Sequence, residues 1–336
     1  MEIIMKIYTT KNTSPFYTLV CEEIILKDEE NQEDILYFYQ HKNAIIIGKN
    51  QNIYEEIKLE EVEEENIEIY RRLSGGGAVY HDLGNINFSF ISQKQNHNYQ
   101  KFLSPIIEFF RSLGLKAEFK GRNDLIVNGA KVSGNAQIIF KNKIVHHGTI
   151  LFNANLAKLA QVLKPSRLKI ESKGIKSVRQ RVTNILYEME EQIDDNEFIY
   201  RLISFFEKKY QTKSVDVENH FDIGISNTEK FKEISQLRES KNWIFGTNPF
   251  FSYENIKRTS AGILKVLANI EKNIIIKIKF EGDFLSQRPI EEIEEILENK
   301  EFDRDSLERE LEKIHNLNEY FGQILPYEIL DTIFGV

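Results

Sequence analysis

The sequence predicts an α+β fold with a mixed sheet, followed by a small second α+β domain. In the first part of the chain, short apolar runs with strand-like alternation outnumber the helical patterns, and several runs are close enough for hairpin links. A polar, irregular stretch over residues 215–255 then separates this part from a last segment with strand patterns and charged amphipathic helices. These observations favour an α+β architecture over a repeated βαβ unit. We expect one domain over residues 1–245 and a C-terminal domain over residues 250–336.

The elements follow in order from local patterns. Ser14 and Pro15 have the chemistry of a helix N-cap and a first helical position, so the first helix begins there and reaches about Asp28. Strand patterns occupy residues 35–39, 44–47, 67–70, 86–91, 124–127, 136–140 and 144–152. Helical patterns occupy residues 99–113, 156–163, 196–210 and 229–238. The C-terminal domain has strands at residues 263–268 and 274–280 and helices at residues 290–297 and 306–314.

The composition indicates a protein of a reducing compartment that acts on small ligands. The 336 residues, 41% of them hydrophobic, can bury the cores of two domains. The balance of 44 basic and 52 acidic residues gives a net charge of −8, which argues against electrostatic binding to nucleic acid or to an anionic membrane. A single cysteine, Cys21, excludes an internal disulfide framework and a cysteine-rich zinc site. Because the start has no apolar signal segment and no apolar run reaches about 18 residues, we expect a soluble cytoplasmic protein. We also expect it to be a monomer.

Two adjacent arginines, followed after two residues by three consecutive glycines, form the most informative motif. Arg71 and Arg72 precede the glycines of residues 75–77, after the strand predicted at residues 67–70. Glycines at a strand end can turn free N–H groups toward an anion, and a guanidinium can neutralise that anion. The spacing fits neither the Walker loop nor the dinucleotide G-x-G-x-x-G signature. The motif therefore predicts a different phosphate-binding loop, and the alternative is a glycine turn flanked by solvated arginines.

A predicted hairpin gathers polar side chains on one face. Asn128-Gly129, between two apolar runs, is typical of a two-residue turn. Pairing outward from this turn without a break sets Leu125 opposite Val132 and Asp124 opposite Ser133. Alternation then places five polar residues on one face, namely Arg122, Asp124, Lys131, Ser133 and Asn135. We expect this face to point at the glycine motif as part of a nucleotide and metal site, and the alternative is a hydrated sheet face.

Two further segments carry candidate groups. His146 and His147 are neighbours on a predicted strand, so their rings point to opposite faces and cannot share a metal. We expect His147 to make hydrogen bonds beside Thr149 on the same face. The basic segment over residues 173–184 either closes on an anionic ligand or lies exposed.

Five blocks of the sequence together resemble the lipoate-protein ligase family. They are RRLSGGGAVYHDLGN at residues 71–85, GRNDLIV at 121–127, KVSGNA at 131–136, HHGTILFN at 146–153 and KGIKSVRQRVTN at 173–184. The blocks occur in the order and at the separations that the family shows, and the resemblance extends over essentially the whole chain. Such a series is far more specific than any one motif.

The resemblance implies a class II synthetase-like catalytic domain of the biotin and lipoate ligase type, followed by a small mobile accessory domain. It implies that lipoate and ATP give lipoyl-AMP and pyrophosphate, and that the lipoyl group then passes to a protein lysine. The implied acceptors are lipoyl domains of 2-oxoacid dehydrogenase acyltransferase subunits and the glycine-cleavage H protein.

The resemblance also carries over site residues. The positions that match ATP-binding ones are Arg72, Gly77, Ala78, Val79, Tyr80 and Lys131. Lys131 also matches the lysine that touches lipoate, and the other lipoate contacts are assigned to Leu73, Ser74, Gly75, Gly76 and His147. We expect the dithiolane tail in an apolar slot near residues 45–48 and Leu73. One departure from the family is Asn135, where small residues such as serine also occur in relatives.

The chemistry calls for the Lys131 cation independently of the family. A carboxylate and an α-phosphate repel each other, and a fixed cation between them relieves this repulsion and stabilises charge as pyrophosphate leaves. Mg²⁺ should accompany ATP, and Asp124 is its candidate protein ligand. Because an acyl-adenylate is already reactive, transfer of the acyl group needs an aligned amine and no enzyme nucleophile.

Three alternatives stay open at this point. A cysteine-dependent octanoyl or lipoyl transferase of the same fold often has Pro-Cys-Gly where this chain has Lys164-Pro165-Ser166, and Cys21 is better explained as a buried residue of the first helix. A biotin ligase would carry a Gly-Arg-Gly-Arg type loop in place of Ser74-Gly75-Gly76-Gly77. A non-catalytic sensor of lipoate or nucleotide would not need an intact set of charged site residues.

Overall fold

The computed structural model describes residues 5–96, 99–121, 123–164, 182–220, 228–246 and 251–336. Its strands are β1 (Met5–Thr9), β2 (Asp34–Gln40), β3 (Asn43–Ile47), β4 (Glu68–Arg71), β5 (Val79–Asp82), β6 (Asn85–Gln93), β7 (Ala117–Lys120), β8 (Asp124–Val127), β9 (Ala130–Phe140), β10 (Lys143–Leu151), β11 (Ser214–Asp216), β12 (Tyr253–Thr259), β13 (Gly262–Glu271) and β14 (Ile274–Gly282). Its helices are α1 (Pro15–Lys27), α2 (Ile53–Glu56), α3 (Leu59–Glu64), α4 (Tyr99–Ser112), α5 (Leu156–Val162), α6 (Ile185–Glu188), α7 (Asp195–Tyr210), α8 (Val217–His220), α9 (Glu229–Glu239), α10 (Lys241–Phe245), α11 (Glu291–Leu297), α12 (Arg304–Glu312), α13 (Leu317–Phe321) and α14 (Pro326–Phe334). The predicted α+β class is confirmed. Among these helices, none is both long and apolar enough to cross a membrane.

The main sheet is mixed and buried on both faces. Over the described residues it has eight strands, in the order β11-β1-β2-β6-β10-β9-β8-β7. β1 runs parallel to β2 and β11, and the other neighbours are antiparallel. Alternation along β10 sends Ile144 into a core that α4 and α7 cover, with Phe109 stacked edge-on against Phe198, and Val145 into a core that α1 covers. Strands β6, β10 and β9 therefore form a rigid centre on which a site can be built.

A second sheet, of three strands in the described part of the chain, holds both ends of the glycine motif. β3 pairs with β4 in parallel and with β5 antiparallel. Ile45 and Ile47 are fully buried on one side of β3, and Ile46 packs on the other side. The strands predicted at residues 44–47 and 67–70 belong to this sheet. Because β4 and β5 flank β3, the connecting segment over residues 72–78, here called the glycine loop, is anchored at both ends.

The C-terminal part is an α+β unit with its own core. Strands β12, β13 and β14 form an antiparallel sheet, and helices α11 to α14 contribute to a core that includes Leu264, Phe280 and Ile329. The prediction of an irregular stretch up to residue 255 is wrong, since β11, α8, α10 and the start of β12 lie in it. β12 reads YENIKRT, with polar side chains at most positions, so its strand conformation depends on pairing with β13 rather than on an apolar pattern.

The hairpin of β8 and β9 contains a bulge that the sequence did not predict. The two-residue turn at Asn128-Gly129 is confirmed, with both residues at positive φ. The register then shifts between Leu125 and Ile126, so that Leu125 pairs with Ser133 in place of Val132. The uninterrupted register that we predicted is therefore wrong beyond the first pairs from the turn.

The bulge divides the polar face that we predicted for this hairpin. Lys131 and Asp124 stay together as an ion pair. Asn135 instead donates to Ser133 Oγ, and its Oδ1 lies 3.3 Å from Nε2 of His146, whose ring stacks in the aromatic core beside α4. The prediction of one continuous polar patch is wrong for Ser133, which is fully buried, because one extra residue in a strand reverses the faces of the side chains beyond it. Arg122 and residues 173–181 of the basic segment lie outside the described residues.

Candidate active site

A cavity of about 380 Å³ opens between the glycine loop, the centre of the main sheet and the β8–β9 hairpin. Its wall includes the predicted site residues Arg72, Gly76, Gly77, Ala78, Val79, Tyr80, Lys131 and His147. The wall also includes residues that the sequence did not single out, among them Leu19, Tyr39, His41, His81 and Asn87. Four predicted site residues lie outside this wall, namely Leu73, Ser74, Gly75 and Asp124. The structure thus brings the glycine motif and Lys131 together, and their contacts with ligands stay predictions.

The two arginines of the glycine motif are buried and bind backbone carbonyls. Arg71 donates to the carbonyl oxygens of Gly48, Lys49, Gln51, Trp243 and Ile244. Arg72 donates to Ser74 Oγ and to the carbonyl oxygens of Ile46, Gly75 and Gly77. Burial lowers the pKa of each guanidinium to about 10, so both remain charged at neutral pH. The alternative of solvated arginines is excluded, and Arg72 fixes the shape of the loop to which it belongs.

Two N–H groups of the glycine loop bind the C-terminal unit. Gly75 N donates to Ser286 O at 3.1 Å, and Gly76 N donates to Phe284 O at 2.9 Å. The expectation of free N–H groups is therefore wrong for these two residues. A Cβ on Gly75 would lie 2.5 Å from Phe284 O, and Gly76 has a φ of +93°, so both positions require glycine. At Gly77, which lines the cavity, an added Cβ would meet nothing within 4 Å.

Lys131 stands on the opposite wall as a positioned but accessible cation. Its Nζ lies 2.6 Å from Asp124 Oδ1, and 33% of its side chain is exposed. Thr183 N donates to Lys131 O at 2.9 Å, which fixes the backbone of β9 at this residue. A Cβ on Gly134 would lie 3.3 Å from Lys131 Nζ, so the glycine leaves room for the ammonium. Among the described residues, no three His, Cys, Asp or Glu side chains converge as a metal site, and Asp124 offers a single carboxylate.

His147 is held by side chains on both of its ring nitrogens. Its Nε2 lies 2.7 Å from Ser74 Oγ, and its Nδ1 lies 3.1 Å from each carboxylate oxygen of Glu22. His147 therefore makes hydrogen bonds as expected. Glu22 was missed by the sequence reasoning, although the two adjacent acidic residues Glu22 and Glu23 between apolar runs of α1 are a signal that could have revealed it. It is 6% exposed, and a carboxylate at such a depth needs the donors that it finds here.

A pair of stacked imidazoles forms another part of the cavity wall. The Nδ1 atoms of His41 and His81 are 3.0 Å apart, and their ring centroids are 5.2 Å apart. Thr18 Oγ1 lies 2.7 Å from His41 Nε2. Burial lowers the pKa of His41 to about 3 and that of His81 well below its ordinary value, so both rings are neutral at neutral pH. The sequence did not predict this pair, because no local pattern connects two histidines so far apart in the chain.

The single cysteine is part of the protein core. Cys21 is fully buried in α1, outside the cavity wall, and burial raises the pKa of its thiol to about 12. A thiol in this state is not a nucleophile. The predicted packing role of Cys21 is confirmed, and this residue gives no support to the thiol-dependent transferase.

Comparisons with known proteins show to which family the chain belongs. The family model for the lipoyl protein ligase A/B catalytic domain matches residues 14–207, and the model for the bacterial lipoate protein ligase C-terminus matches residues 248–333. The lipoate-protein ligase LplJ of Bacillus subtilis is 39% identical over 324 residues, which cover 95% of this chain and 97% of that protein.

Solved structures give the same result. The crystal structure of P. falciparum LipL1 in complex with lipoate has a TM-score of 0.84 at 25% identity and covers 99% of this chain and 100% of its own. The structure of lipoate-protein ligase A bound with ATP has a TM-score of 0.56 at 26% identity and covers 73% and 99% of the two chains. The fold class of these neighbours agrees with the class II synthetase-like type expected from the sequence. The catalytic-domain model covers more than half of the residues, and the Bacillus subtilis relative is 39% identical over nearly the whole length. The chain therefore belongs to the lipoate-protein ligase family.

Proposed function

We propose that the cavity carries out both steps of ATP-dependent lipoate-protein ligation. In the first step lipoate and ATP form lipoyl-AMP and pyrophosphate, and in the second the lipoyl group passes to a protein lysine. One observation carries the proposal: the accessible ammonium of Lys131 and residues 76–80 of the glycine motif face the same cavity. A cation opposite a backbone wall, beside an apolar lining, suits a fatty-acid-like carboxylate that meets a nucleotide.

The two substrates have separate parts of the wall available. Leu19, Tyr39 and Ile46 provide apolar surface that suits the lipoate chain and its dithiolane ring. Residues 77–80 provide backbone that suits the nucleotide, as the family resemblance implies. The printed descriptions of the LipL1 and lipoate-protein ligase A structures, with lipoate and with ATP, support this pair of substrates for the chain.

Lys131 supplies the cation for the activation step. A carboxylate oxygen of lipoate attacks the α-phosphorus of ATP, the bond from phosphorus to the pyrophosphate oxygen breaks, and a mixed anhydride forms. Two unit anions at 4 Å repel by about 4 kcal/mol near a protein surface, so the reactants do not meet without a counter-charge. The Lys131 ammonium, oriented by Asp124 at 2.6 Å, is placed to offset this repulsion and the charge on the departing pyrophosphate.

Asp124 fits the expected use of Mg²⁺ with ATP. This ion is commonly held by one or two carboxylates together with substrate phosphates and waters, and Asp124 is a half-buried carboxylate beside Lys131 that would hold it. When bound, Mg²⁺ supplies positive charge to the phosphate oxygens. Asp124 Oδ1 meanwhile keeps the Lys131 ammonium in place.

The transfer step needs an aligned amine. The acceptor lysine attacks the carbonyl carbon of lipoyl-AMP, the bond from that carbon to the AMP oxygen breaks, and the amine loses a proton. We propose that the acceptor is a lipoyl domain of a 2-oxoacid dehydrogenase acyltransferase subunit or the glycine-cleavage H protein. The family membership of the chain supports this class of acceptor.

We also propose a catalytic domain over residues 1–245 and an accessory domain over residues 250–336. The core of the C-terminal unit consists of residues that follow β12 together with Tyr253 of that strand. The two family models also divide the chain between residues 207 and 248.

Mass detection of lipoyl-AMP tests the proposal. The purified protein is incubated with Mg-ATP and lipoate without acceptor, and an apo lipoyl domain is then added. The wild-type chain should form the adenylate and then the lipoylated domain with AMP. Lys131→Ala should form neither, and the matched variant Lys116→Ala, which changes an exposed lysine outside the cavity wall, should behave as wild type. Binding of both ligands without any adenylate would overturn the proposal and favour the sensor.

Cys21→Ser tests the thiol-dependent alternative. We expect ligation at the wild-type rate, with a loss of about 1–3 kcal/mol in stability from the buried hydroxyl. Circular dichroism and the lipoylation assay measure the two effects. Complete loss of lipoyl transfer by a folded variant would support the transferase instead.

A further inference from the structure

A chain of buried hydrogen bonds connects α1 with the glycine loop. Arg72 Nε lies 3.1 Å from Ser74 Oγ, which in turn lies 2.7 Å from His147 Nε2. His147 Nδ1 lies 3.1 Å from both carboxylate oxygens of Glu22. Each of these four residues is at most 9% exposed. The contacts are therefore shielded from water, and an unmatched donor or acceptor among them would be costly.

The donor and acceptor types allow one order of protons along this chain. Arg72 Nε–H can only donate, so Ser74 Oγ accepts from it and gives its own proton to His147 Nε2. An ionised carboxylate can only accept, so a His147 ring with one N–H carries that proton on Nδ1 and donates it to Glu22. Every bond thus points from the glycine loop toward α1.

Glu22 is itself fixed by strands of the main sheet. Ser89 Oγ on β6 donates to Glu22 Oε2, and the hydroxyl of Tyr39 on β2 lies 3.4 Å from the same oxygen. With His147 on β10, three neighbouring strands donate to this one carboxylate. A rigid acceptor at this point determines which nitrogen of His147 holds the proton.

The order of carboxylate, imidazole and hydroxyl resembles that of a hydrolase triad, but the hydroxyl is not accessible. Ser74 is fully buried and lies behind the cavity wall. A nucleophile needs contact with its substrate, so the geometry suits positioning and excludes attack by this hydroxyl.

We propose that Glu22 and Ser74 are positioning residues that fix the tautomer of His147 and, through it, the orientation of Arg72 in the glycine loop. The proposal rests on the proposed function, in which the substrates occupy the cavity that Arg72 and His147 line. Arg72 Nη2 donates to Gly75 O at 2.7 Å and to Gly77 O at 2.9 Å. A change in the direction of its Nε–H bond therefore moves the backbone that lines the nucleotide side of the cavity.

Glu22→Gln should reverse the proton order. Because two hydroxyls donate to Oε2, the amide oxygen takes that place and the NH₂ group turns to His147 Nδ1. His147 then holds its proton on Nε2 and donates to Ser74 Oγ, to which Arg72 Nε–H already donates. Arg72 Nε–H and His147 Nε2–H would then both donate to Ser74 Oγ, and the Ser74 hydroxyl proton would have no acceptor. The glycine loop would have to shift to relieve this arrangement.

NMR of the ring nitrogens measures the tautomer directly. Protein with ¹⁵N-labelled histidine is compared with His147→Gln, which assigns the His147 signals among the seven histidines. The wild-type chain should show His147 in the Nδ1–H form, and Glu22→Gln should show the Nε2–H form. A wild-type Nε2–H tautomer, or an unchanged tautomer in the variant, would overturn the proposal. This readout is independent of catalysis, so it decides the positioning role even if no adenylate forms.

Kinetics test the consequence for the site. Glu22→Gln and Ser74→Ala should each raise the KM for ATP in lipoate-dependent ATP–pyrophosphate exchange at least tenfold, with a smaller change in kcat. Ser92→Ala is the matched control, because it removes a buried hydroxyl of the same strand β6 that takes no part in this network, and it should stay within twofold of wild type. If Ser74→Ala exchanged pyrophosphate with the wild-type KM, Arg72 would not depend on this network and the proposal would fail. Equal loss in Ser92→Ala would likewise reduce the effect to general packing and refute it.

Discussion

The glycine loop and the β8–β9 hairpin present their cations to the cavity in opposite ways. Arg72 is 9% exposed and donates to Ser74 Oγ and three backbone carbonyls near it, whereas Lys131 is about one-third exposed and pairs with Asp124. A guanidinium whose donors are taken up by carbonyls shapes a wall. An ammonium on a flexible stem can follow charge that develops during a reaction. The difference teaches that a cation in the most conspicuous motif can be structural, while the accessible cation, for which we propose the catalytic role, stands on the opposite wall.

Among the variants that test this contrast between the two cations, Lys131→Ala should have the largest effect on activity. We expect lipoate-dependent ATP–pyrophosphate exchange to fall by about 10²–10³, as for the loss of one preorganised group that stabilises a transition state. The free energy of unfolding should change by less than about 1 kcal/mol, because exposed ion pairs contribute little. Urea denaturation measured beside the exchange assay separates the two effects. A large loss of stability would make Lys131 a structural cation like Arg72.

Arg72→Ala should lower stability together with activity. Its removal leaves the buried carbonyl oxygens of Ile46 and Gly75 without their guanidinium donor, which costs about 1–3 kcal/mol for each group that stays unsatisfied. Arg72→Lys should not restore the loop, because an ammonium cannot reproduce the planar fork. Thermal denaturation of both variants measures the loss of stability. A wild-type Tm in Arg72→Ala would show that the glycine loop does not need its arginine.

The part of the cavity wall that contains the glycine loop should also make the folded protein less stable in acid, because His41 and His81 are buried there. Burial holds the pKa of His41 at about 3, below that of the unfolded chain, so this histidine contributes stability above pH 6.5 that is lost as the pH falls. Between pH 6.5 and pH 5 the loss amounts to about 2 kcal/mol for each such group. Denaturant unfolding at both pH values measures it. His41→Asn should lose less on acidification, and an equal loss would place the acid sensitivity elsewhere.

Asp124→Asn should have the smallest effect on activity and stability. It tests how much the cation of the β8–β9 hairpin depends on its carboxylate partner. The pair with Lys131 is partly exposed on both sides, at 27% and 33%, so stability should change by less than about 1 kcal/mol. At saturating Mg²⁺ exchange should fall by about tenfold or less, since the Lys131 ammonium keeps its charge and an Asn side-chain oxygen can still bind the ion. Titration of Mg-ATP in the exchange assay measures the change. A loss as large as that of Lys131→Ala would assign Asp124 a direct catalytic part.

The hairpin shows how far local sequence patterns reach. Asn128-Gly129 was enough to predict the turn, since few residues other than these adopt both positive φ values. The bulge could not be predicted from the local sequence, because it depends on the packing of Val132. This residue is fully buried in the aromatic core to which α4 and α7 contribute. The one-residue shift leaves Ser133 fully buried and outside the cavity wall, whereas Asn135 still lines the cavity.

The glycine loop shows the same limit at longer range. Its motif predicted a backbone wall, and Arg72 and residues 76–80 do line the cavity. The partners of Gly75 and Gly76 are carbonyls of the C-terminal unit, more than 200 positions away, and no local pattern indicates them. Glu22 is likewise 125 positions from His147. Hydrogen bonds of this kind are set by which surfaces meet, and a sequence gives that only through its fold.

By itself, the sequence determined the family, the α+β class, the turn of the hairpin and the residues that form the glycine loop, because each is encoded by neighbouring residues or by a series of motifs. Tertiary structure alone decided that Arg72 is buried among hydrogen-bond acceptors while Lys131 is accessible. It also decided where the register of β9 shifts and how Glu22 comes to contact His147. The physical reason is that burial and hydrogen-bond partnership are properties of packed surfaces, and these bring together residues from distant parts of the chain.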